Sequence, residues 1–222
     1  MNTRELDDDV EGVAAAHLTL LQHLDQLREI GALEPTAPSL LPDWTIGHVL
    51  THFARNADGL RAMIEAAARG EQAPMYPGGF AQRAADIESG ARRDAEALVT
   101  DVRMTIWKLD AAWVTLDAGG WAGSGTMLTG EAVPIVVIPF RRWREVEVHH
   151  ADLGLPGFGI DDWSAAYVAK ELPIQLREWK SRRPMGMGDL PQAVNALSVN
   201  RRLAWLMSRL TVDGVEAPGP WS

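Results

Sequence analysis

Glutamate and histidine side chains with the spacing of metal ligands occur in the second half of the chain. Glu145 and His149 are four residues apart, which on a helix brings both side chains to one face, one turn apart. A carboxylate and an imidazole held in this way can share one divalent ion. The same pair can also form a simple electrostatic contact of about a few tenths of a kcal/mol. A metal site therefore needs a third ligand from elsewhere in the chain.

A second pair, His48 and His52, has the same spacing nearer the N-terminus. His52 together with Glu145 and His149 makes a set of two histidines and one carboxylate. Three protein ligands leave a coordination position open, as in catalytic zinc sites, and the same set also suits non-haem iron(II). The alternative is that His48 and His52 are packed or solvated helix residues. His48 is interpreted either as a hydrogen-bond partner of a ligand or as a packed residue.

Apolar periodicity and cap residues predict the helices that carry these side chains. They run from Asp9 to Ile30, from Trp44 to Arg69 with Asp43 as N-cap, from Phe80 to Leu116 with a kink near Gly90, from Arg141 to a stop at Gly154, from Asp161 to Arg183, and from Leu203 to Leu210. Residues 121–138 are predicted to cross between helices, with a short strand at Ile135–Ile138.

Four long amphipathic helices with one crossover are typical of a four-helix bundle, whose core commonly holds metal sites on facing helices. After Gly159 the character of the sequence changes. We therefore expect a mainly α protein, with the bundle in residues 1–158 and a short C-terminal domain, α or α+β, in residues 159–222.

Composition and charge exclude several classes of function. The net charge of −9 and pI near 5.1 argue against a nucleic-acid partner. The chain has no cysteine, which excludes disulfides, thiolate metal ligands and a cysteine nucleophile, so any thiol chemistry needs an external thiol. The N-terminus lacks an apolar signal core and the run Ala132–Ile138 is too short to span a bilayer, so we expect a cytoplasmic protein without a membrane partner. No pattern indicates an oligomeric state.

The remaining histidines and several arginines are assigned no chemistry. His150 is interpreted as a surface residue or as a hydrogen-bond partner of a ligand, because it points away from His149 on the helix. His17 and His23 are interpreted as ordinary helix residues. A solvated or carboxylate-paired face is predicted for Arg141, Arg142 and Arg144.

Several motifs resemble a known family. Residues 43–59 (DWTIGHVLTHFARNADG) resemble the second-helix signature of the mycothiol-dependent maleylpyruvate isomerases, a family of DinB-like metal-dependent bundles. Met75-Tyr76-Pro77 with Arg83 and Ile87, residues 144–154 (REVEVHHADLG) and, more weakly, residues 203–209 are similar to its other motifs. The resemblance covers about residues 10–155 and implies a DinB-like four-helix bundle. It also implies that His52, Glu145 and His149 are zinc ligands.

The resemblance implies a zinc- and mycothiol-dependent isomerase, whose partners are a small-molecule substrate and a low-molecular-weight thiol. Zinc would keep the sulfur of mycothiol deprotonated. The thiolate would add to the cis double bond of maleylpyruvate, allow rotation about the resulting single bond, and leave to give fumarylpyruvate. The same motifs leave two alternatives open. One is a mycothiol S-transferase that acts on electrophiles, and the other is a non-enzymatic metal-binding regulatory module.

The resemblance also suggests residues around the metal. Arg83, in a matched motif, is the first candidate for a catalytic carboxylate clamp and for binding the acidic thiol, because a guanidinium binds carboxylates bidentately. Arg209, in the weaker C-terminal match, is the second catalytic candidate. Tyr76 and Asn56 are candidates for cofactor binding, and Trp44 for lining the pocket. The stretch after the bundle is short and shows little strand pattern, so the resemblance is weakest there.

Overall fold

A computed structural model of the chain describes residues 3–183 and 188–219. The chain divides into two compact units, residues 1–154 and 155–222. The sequence-based division falls slightly later, after residue 158.

The first unit contains the long helices. Its helices are α1 (Thr3–Glu29), α2 (Ile46–Ala68), α3 (Gly79–Gly90), α4 (Ala95–Val114), α5 (Ala118–Trp121) and α6 (Ile138–Asp152). An antiparallel pair, β1 (Ser124–Thr126) with β2 (Ala132–Pro134), and a 3-10 turn at Ile135–Val137 connect α5 to α6. Helix α2 packs against α4 and α6, and α1 packs against the same two helices. This is the expected mainly α architecture built on a four-helix bundle.

The bundle core is formed by the apolar stripes of its helices. Burying one such side chain contributes about 1.5–3 kcal/mol, so the stripes together fix which face of each helix points inward. Fully buried core side chains include Leu20, Leu24, Leu50, Phe53, Leu60, Met63, Leu98 and Ile106. The inward faces of α2 and α6 also carry polar residues, which are therefore held inside the bundle rather than at its surface.

Helix α2 begins later than the sequence predicted. Thr45 is its N-cap: the Thr45 hydroxyl accepts from the His48 N–H at 3.4 Å, and His48 Nδ1 accepts from the Thr45 N–H at 3.1 Å. This reciprocal capping fixes the first turn of the helix. The prediction that Asp43 caps the helix is wrong, because Asp43 has φ 63°, a left-handed backbone conformation outside the helix.

Two other elements differ from the prediction. The pattern predicted as one kinked helix from Phe80 to Leu116 forms two helices, because Asp94 accepts a hydrogen bond from Ala97 N at 2.8 Å and caps α4 as a new helix. The predicted strand at Ile135–Ile138 is wrong, since these residues form the 3-10 turn and the first residue of α6. Pro139 lies in the first turn of α6, where its fixed φ favours a helix start.

A glycine in α2 allows the loop before α3 to approach closely. A Cβ on Gly59 would lie 2.5 Å from the carbonyl oxygen of Met75. On its other side the loop is held by a hydrogen bond from Met75 N to Thr126 O, 2.8 Å long. Tyr76 follows Met75 directly, so its backbone position is fixed by α2 and β1.

The second unit is built from short helices. Its elements are a 3-10 turn at Ile160–Asp162, α7 (Ala165–Ser181), α8 (Gln192–Asn195) and α9 (Val199–Leu206). Ser164 caps α7, so this helix begins after the predicted Asp161. Trp179 and Trp205 form the centre of the core, with ring centroids 5.0 Å apart. Over the described residues of both units, no helix is long and apolar enough to cross a membrane.

Candidate metal centre

The three predicted ligands meet between α2 and α6. His52 on α2 places Nε2 2.9 Å from Glu145 Oε2, and His149 Nε2 lies 3.5 Å from the same oxygen. One ligand atom from each residue lies within 4.8 Å of those of the other two. Glu145 and His149 reach this point because they are one turn apart on α6, as their spacing predicted.

A carboxylate orients one of these histidines. His149 Nδ1 donates to Asp152 Oδ2 at 2.8 Å, and Asp152 is only 2% exposed. Because Nδ1 donates to Asp152, Nε2 is the nitrogen that faces Glu145 and that can bind a metal ion once its own proton is displaced. Sequence reasoning missed Asp152 as part of the site. Its signal was the acid three residues after a candidate ligand on the same helix face.

Burial and hydrogen bonds set the protonation of the three residues. Burial lowers the pKa of His52 to about 4, so its imidazole is neutral at neutral pH. Burial would also lower the pKa of His149, but hydrogen bonds to Asp152 and Glu145 outweigh it and raise the pKa to about 9. Burial would raise the pKa of Glu145, yet hydrogen bonds from His149 and His52 hold it well below its usual value. A metal ion must therefore displace one proton, from His149.

The residues predicted beside the metal also lie here. Arg83 Nη2 donates to His52 Nδ1 at 3.0 Å, and the guanidinium carbon of Arg83 lies 5.9 Å from the ring centroid of Tyr76. The hydroxyl of Tyr76 is buried and has no acceptor for its proton among the described residues. The ring of Trp44 stands edge-on to that of His52, with centroids 5.7 Å apart. The structure thus places Arg83, Tyr76 and Trp44 around His52.

Arg142 is fully buried and its hydrogen-bond acceptors are not carboxylates, so the prediction that it belongs to a solvated or carboxylate-paired face is wrong. Its Nε donates to His17 Nε2 at 3.0 Å, and its Nη1 donates to the carbonyl oxygen of Phe53 at 3.1 Å and to Asn56 Oδ1 at 2.9 Å. These acceptors come from α1 and α2. Together they provide the hydrogen bonds that solvent cannot supply to a buried guanidinium. Asn56, predicted to bind the cofactor, is therefore an acceptor for Arg142.

The other histidines of α1 and α6 belong to buried contacts. His17 Nδ1 lies 3.0 Å from Asp110 Oδ1, which extends the Arg142 network to α4. His150 is 1% exposed, and its Nε2 lies 2.7 Å from His23 Nδ1. Burial lowers the pKa of His150 to about 3, which keeps it neutral. His150 is therefore a core residue rather than a surface residue.

Two remaining candidates have other contacts. His48 Nε2 lies 3.1 Å from Glu88 Oε2, and its Nδ1 caps α2. His48 thus contributes to the start of the ligand-bearing helix. Arg209 lies in the second unit, where its Nη1 donates to the carbonyl oxygen of Met207 at 2.9 Å. Its catalytic role stays a prediction.

The fold and the grouped side chains define a helical bundle of the DinB-like class, with a potential metal-ligand set on facing helices. Residues 7–154 match the family model described as the mycothiol maleylpyruvate isomerase N-terminal domain, and the chain belongs to that family.

Two solved structures are similar over the whole chain. A crystal structure described as the mycothiol-dependent maleylpyruvate isomerase has a TM-score of 0.81 and 22% identity, with 100% of each chain covered. The crystal structure of a histidine-to-alanine mutant of such an isomerase has a TM-score of 0.81 and 21% identity, again with 100% of each chain covered. No curated protein matches the sequence. At these identities the two structures establish the fold.

Proposed function

We propose that this protein is a zinc- and mycothiol-dependent isomerase that converts maleylpyruvate, or a close analogue, to fumarylpyruvate. The observation that carries the proposal is the meeting of His52, Glu145 and His149 between two helices of a chain that belongs to this family. Two imidazoles and one carboxylate form a ligand set that suits zinc and leaves a position for an exogenous ligand.

The surroundings of these residues fit a metal ion. The ligand set is enclosed between α2 and α6, and Asp152 fixes the ring orientation of His149. A divalent ion held by His52, Glu145 and His149 would keep the sulfur of mycothiol deprotonated at neutral pH, and a chain without cysteine has no thiolate of its own.

The reaction balances without an oxidant or reductant. The thiolate adds to one carbon of the cis double bond, and the electron pair moves to the oxygen of the conjugated ketone. The former double bond is then single and rotates. The electron pair returns, the carbon–sulfur bond breaks, and the trans product and the thiolate are released. The protein has to hold the substrate while this rotation occurs.

Arg83 is proposed to bind a carboxylate of the substrate. It donates to His52 Nδ1, which can accept only while the proton of the neutral ring is on Nε2. With Nε2 bound to a metal, the proton of His52 would lie on Nδ1 and this hydrogen bond would be lost. The Arg83 guanidinium is then available to form a bidentate pair with a carboxylate. Arg209 is kept as a second candidate for catalysis.

The test is an activity assay with protein whose zinc content has been measured. The protein is incubated with maleylpyruvate, with and without mycothiol, and fumarylpyruvate is quantified by chromatography. We expect conversion that requires both zinc and the thiol, without net consumption of the thiol. Absence of conversion by zinc-loaded protein in the presence of mycothiol would refute the isomerase proposal.

The same assay separates the alternatives. A mycothiol S-transferase would consume the thiol and accumulate a conjugate of the electrophile. A non-enzymatic regulatory module would bind zinc through the same residues but would convert neither maleylpyruvate nor an electrophile. The isomerase is favoured because Arg83 contacts His52, and its guanidinium could bind a substrate carboxylate beside the proposed position of the thiolate.

A further inference from the structure

Two buried hydrogen-bond donors near the metal-ligand set have no acceptor among the described residues. One is the hydroxyl of Tyr76, and the other is Nη2 of Arg142. A guanidinium has five N–H donors. For Arg142, Nε and Nη1 are paired with three acceptors, all of them uncharged, while both N–H groups of Nη2 are left over. Leaving such groups buried without partners costs free energy, so each calls for an explanation.

The two donors lie close to the ligand set. Arg142 precedes Glu145 by one turn of α6 and donates to Asn56, which follows His52 by one turn of α2. Arg142 therefore lies about one helical turn away from the ligands. It shares a face of α6 with Glu145, and its acceptor Asn56 shares a face of α2 with His52. Tyr76 lies beside Arg83, whose guanidinium contacts His52. The charge of Glu145 acts on Arg142, in agreement with this proximity.

The charge of this group of donors suits an anion. Burial lowers the pKa of Arg142 to about 10, which still leaves the guanidinium protonated at neutral pH. Burial raises the pKa of the Tyr76 hydroxyl, so that this group is also protonated and able to donate. A buried cation whose paired acceptors are all neutral is best compensated by a negative charge.

We propose that the Tyr76 hydroxyl and Arg142 Nη2 bind a carboxylate of the substrate beside the metal-ligand set. The identity of this ligand rests on the proposed function, whereas the pairing of an anion with these two donors rests on their contacts. The proposal adds a second anion-binding position to the one assigned to Arg83, as a substrate with two carboxylates requires.

Access to the two donors depends on Arg83. Both donor atoms are shielded from solvent, and Arg83 lies over the Tyr76 ring. Helix α3, which carries Arg83, has Ile87 as its one buried side chain among the described residues, so little packing opposes a shift of this helix. Release of Arg83 from His52 on metal binding would uncover Tyr76. Metal loading thus precedes anion binding at the two donors.

The decisive variant is Tyr76→Phe, because it removes only the hydroxyl. A buried hydroxyl that donates to no protein acceptor contributes little to the fold, so the melting temperature is expected to stay about the same or rise. Zinc-loaded protein is titrated with maleate in a calorimeter without mycothiol. A hydrogen bond to a charged group is worth enough that its loss should weaken maleate binding by about tenfold or more.

Tyr167→Phe is the matched control, since Tyr167 is the only other tyrosine and lies buried in the second unit. It should bind maleate as the unmodified protein does. The proposal is overturned if the unmodified protein does not bind maleate, if Tyr76→Phe binds it equally well, or if Tyr76→Phe lowers the melting temperature. Tyr76-dependent maleate binding without conversion of maleylpyruvate would support the anion site and refute the isomerase. Conversion of maleylpyruvate by the unmodified protein, together with unchanged maleate binding in Tyr76→Phe, would support the isomerase and refute the anion site.

Discussion

The hydrogen bond between His149 and Asp152 leads to a prediction about proton release on zinc binding. His149 has a pKa raised to about 9, with Asp152 as the largest contributor that raises it. At pH 7 about 99 of 100 molecules therefore carry this proton, and zinc must displace it. The pKa of His52 is lowered to about 4 and that of Glu145 lies well below its usual value, so neither releases a proton at pH 7. His149 should thus release close to one proton per zinc.

The informative perturbation is Asp152→Asn, which keeps an acceptor oxygen for His149 Nδ1 but removes the negative charge. The pKa of His149 then falls, because the neutral amide no longer stabilises the imidazolium, and its share of the protons released at pH 7 falls below one. Zinc affinity changes in two opposite ways. Competition from the proton decreases below pH 9, but a less basic ligand weakens zinc binding at high pH by roughly 10–100-fold.

Calorimetry in two buffers with different ionisation enthalpies measures the protons released, and chelator competition from pH 6 to about 10 measures zinc affinity. In the unmodified protein, affinity should rise about tenfold per pH unit and level off near the His149 pKa. In Asp152→Asn the plateau should be lower and begin at a lower pH. Asp161→Asn, which removes an exposed acid paired with Arg201, is the control. Equal proton release and an unchanged break point in Asp152→Asn would refute the reasoning.

Three further changes test the site and its support. His52→Ala should weaken zinc binding by more than the roughly 10–100-fold loss typical of an outer partner, and metal analysis after gel filtration that still finds one zinc per chain would remove it from the ligands. Arg83→Ala should retain zinc but raise the KM for maleylpyruvate by about tenfold or more, and unchanged kinetics would exclude Arg83 from substrate binding. Gly59→Ala brings a Cβ to 2.5 Å from the Met75 carbonyl oxygen and should lower the free energy of unfolding in urea by about 1–3 kcal/mol. Gly159→Ala, whose nearest new contact is an ordinary 3.9 Å to Asp162 Oδ2, should change it little, and equal effects of the two substitutions would contradict this explanation.

The features that could be predicted from the sequence are those set by local spacing. Glu145 and His149 share a helix face because they are four residues apart, and this holds wherever the helix lies. The grouping of His52 with them followed from the assumption that α2 and α6 face each other in a bundle. The family motifs supported the same grouping and also placed Arg83 and Tyr76 nearby, where the structure has them.

The features that were missed depend on contacts between distant elements. Arg142 is next to Arg141 in the sequence, yet only Arg142 meets acceptors from α1 and α2 and is therefore buried. The start of α2 was missed for a related reason. Asp43 and Thr45 are both favourable N-cap residues, and the choice between them is made by the His48 ring, which closes the capping interaction with Thr45. Residue type alone does not decide such competitions.

The proposed ligands are far apart along the chain, since 93 positions separate His52 from Glu145. A metal ion bound to both acts as a reversible cross-link between α2 and α6, in a chain that has no cysteine for a disulfide. Ligand binding to the folded state stabilises it by mass action, so each tenfold rise in free zinc above the dissociation constant adds about 1.4 kcal/mol to the free energy of unfolding. Zinc starvation would then shorten the lifetime of the protein as well as inactivate it, because chains that lose the ion unfold more often and are degraded.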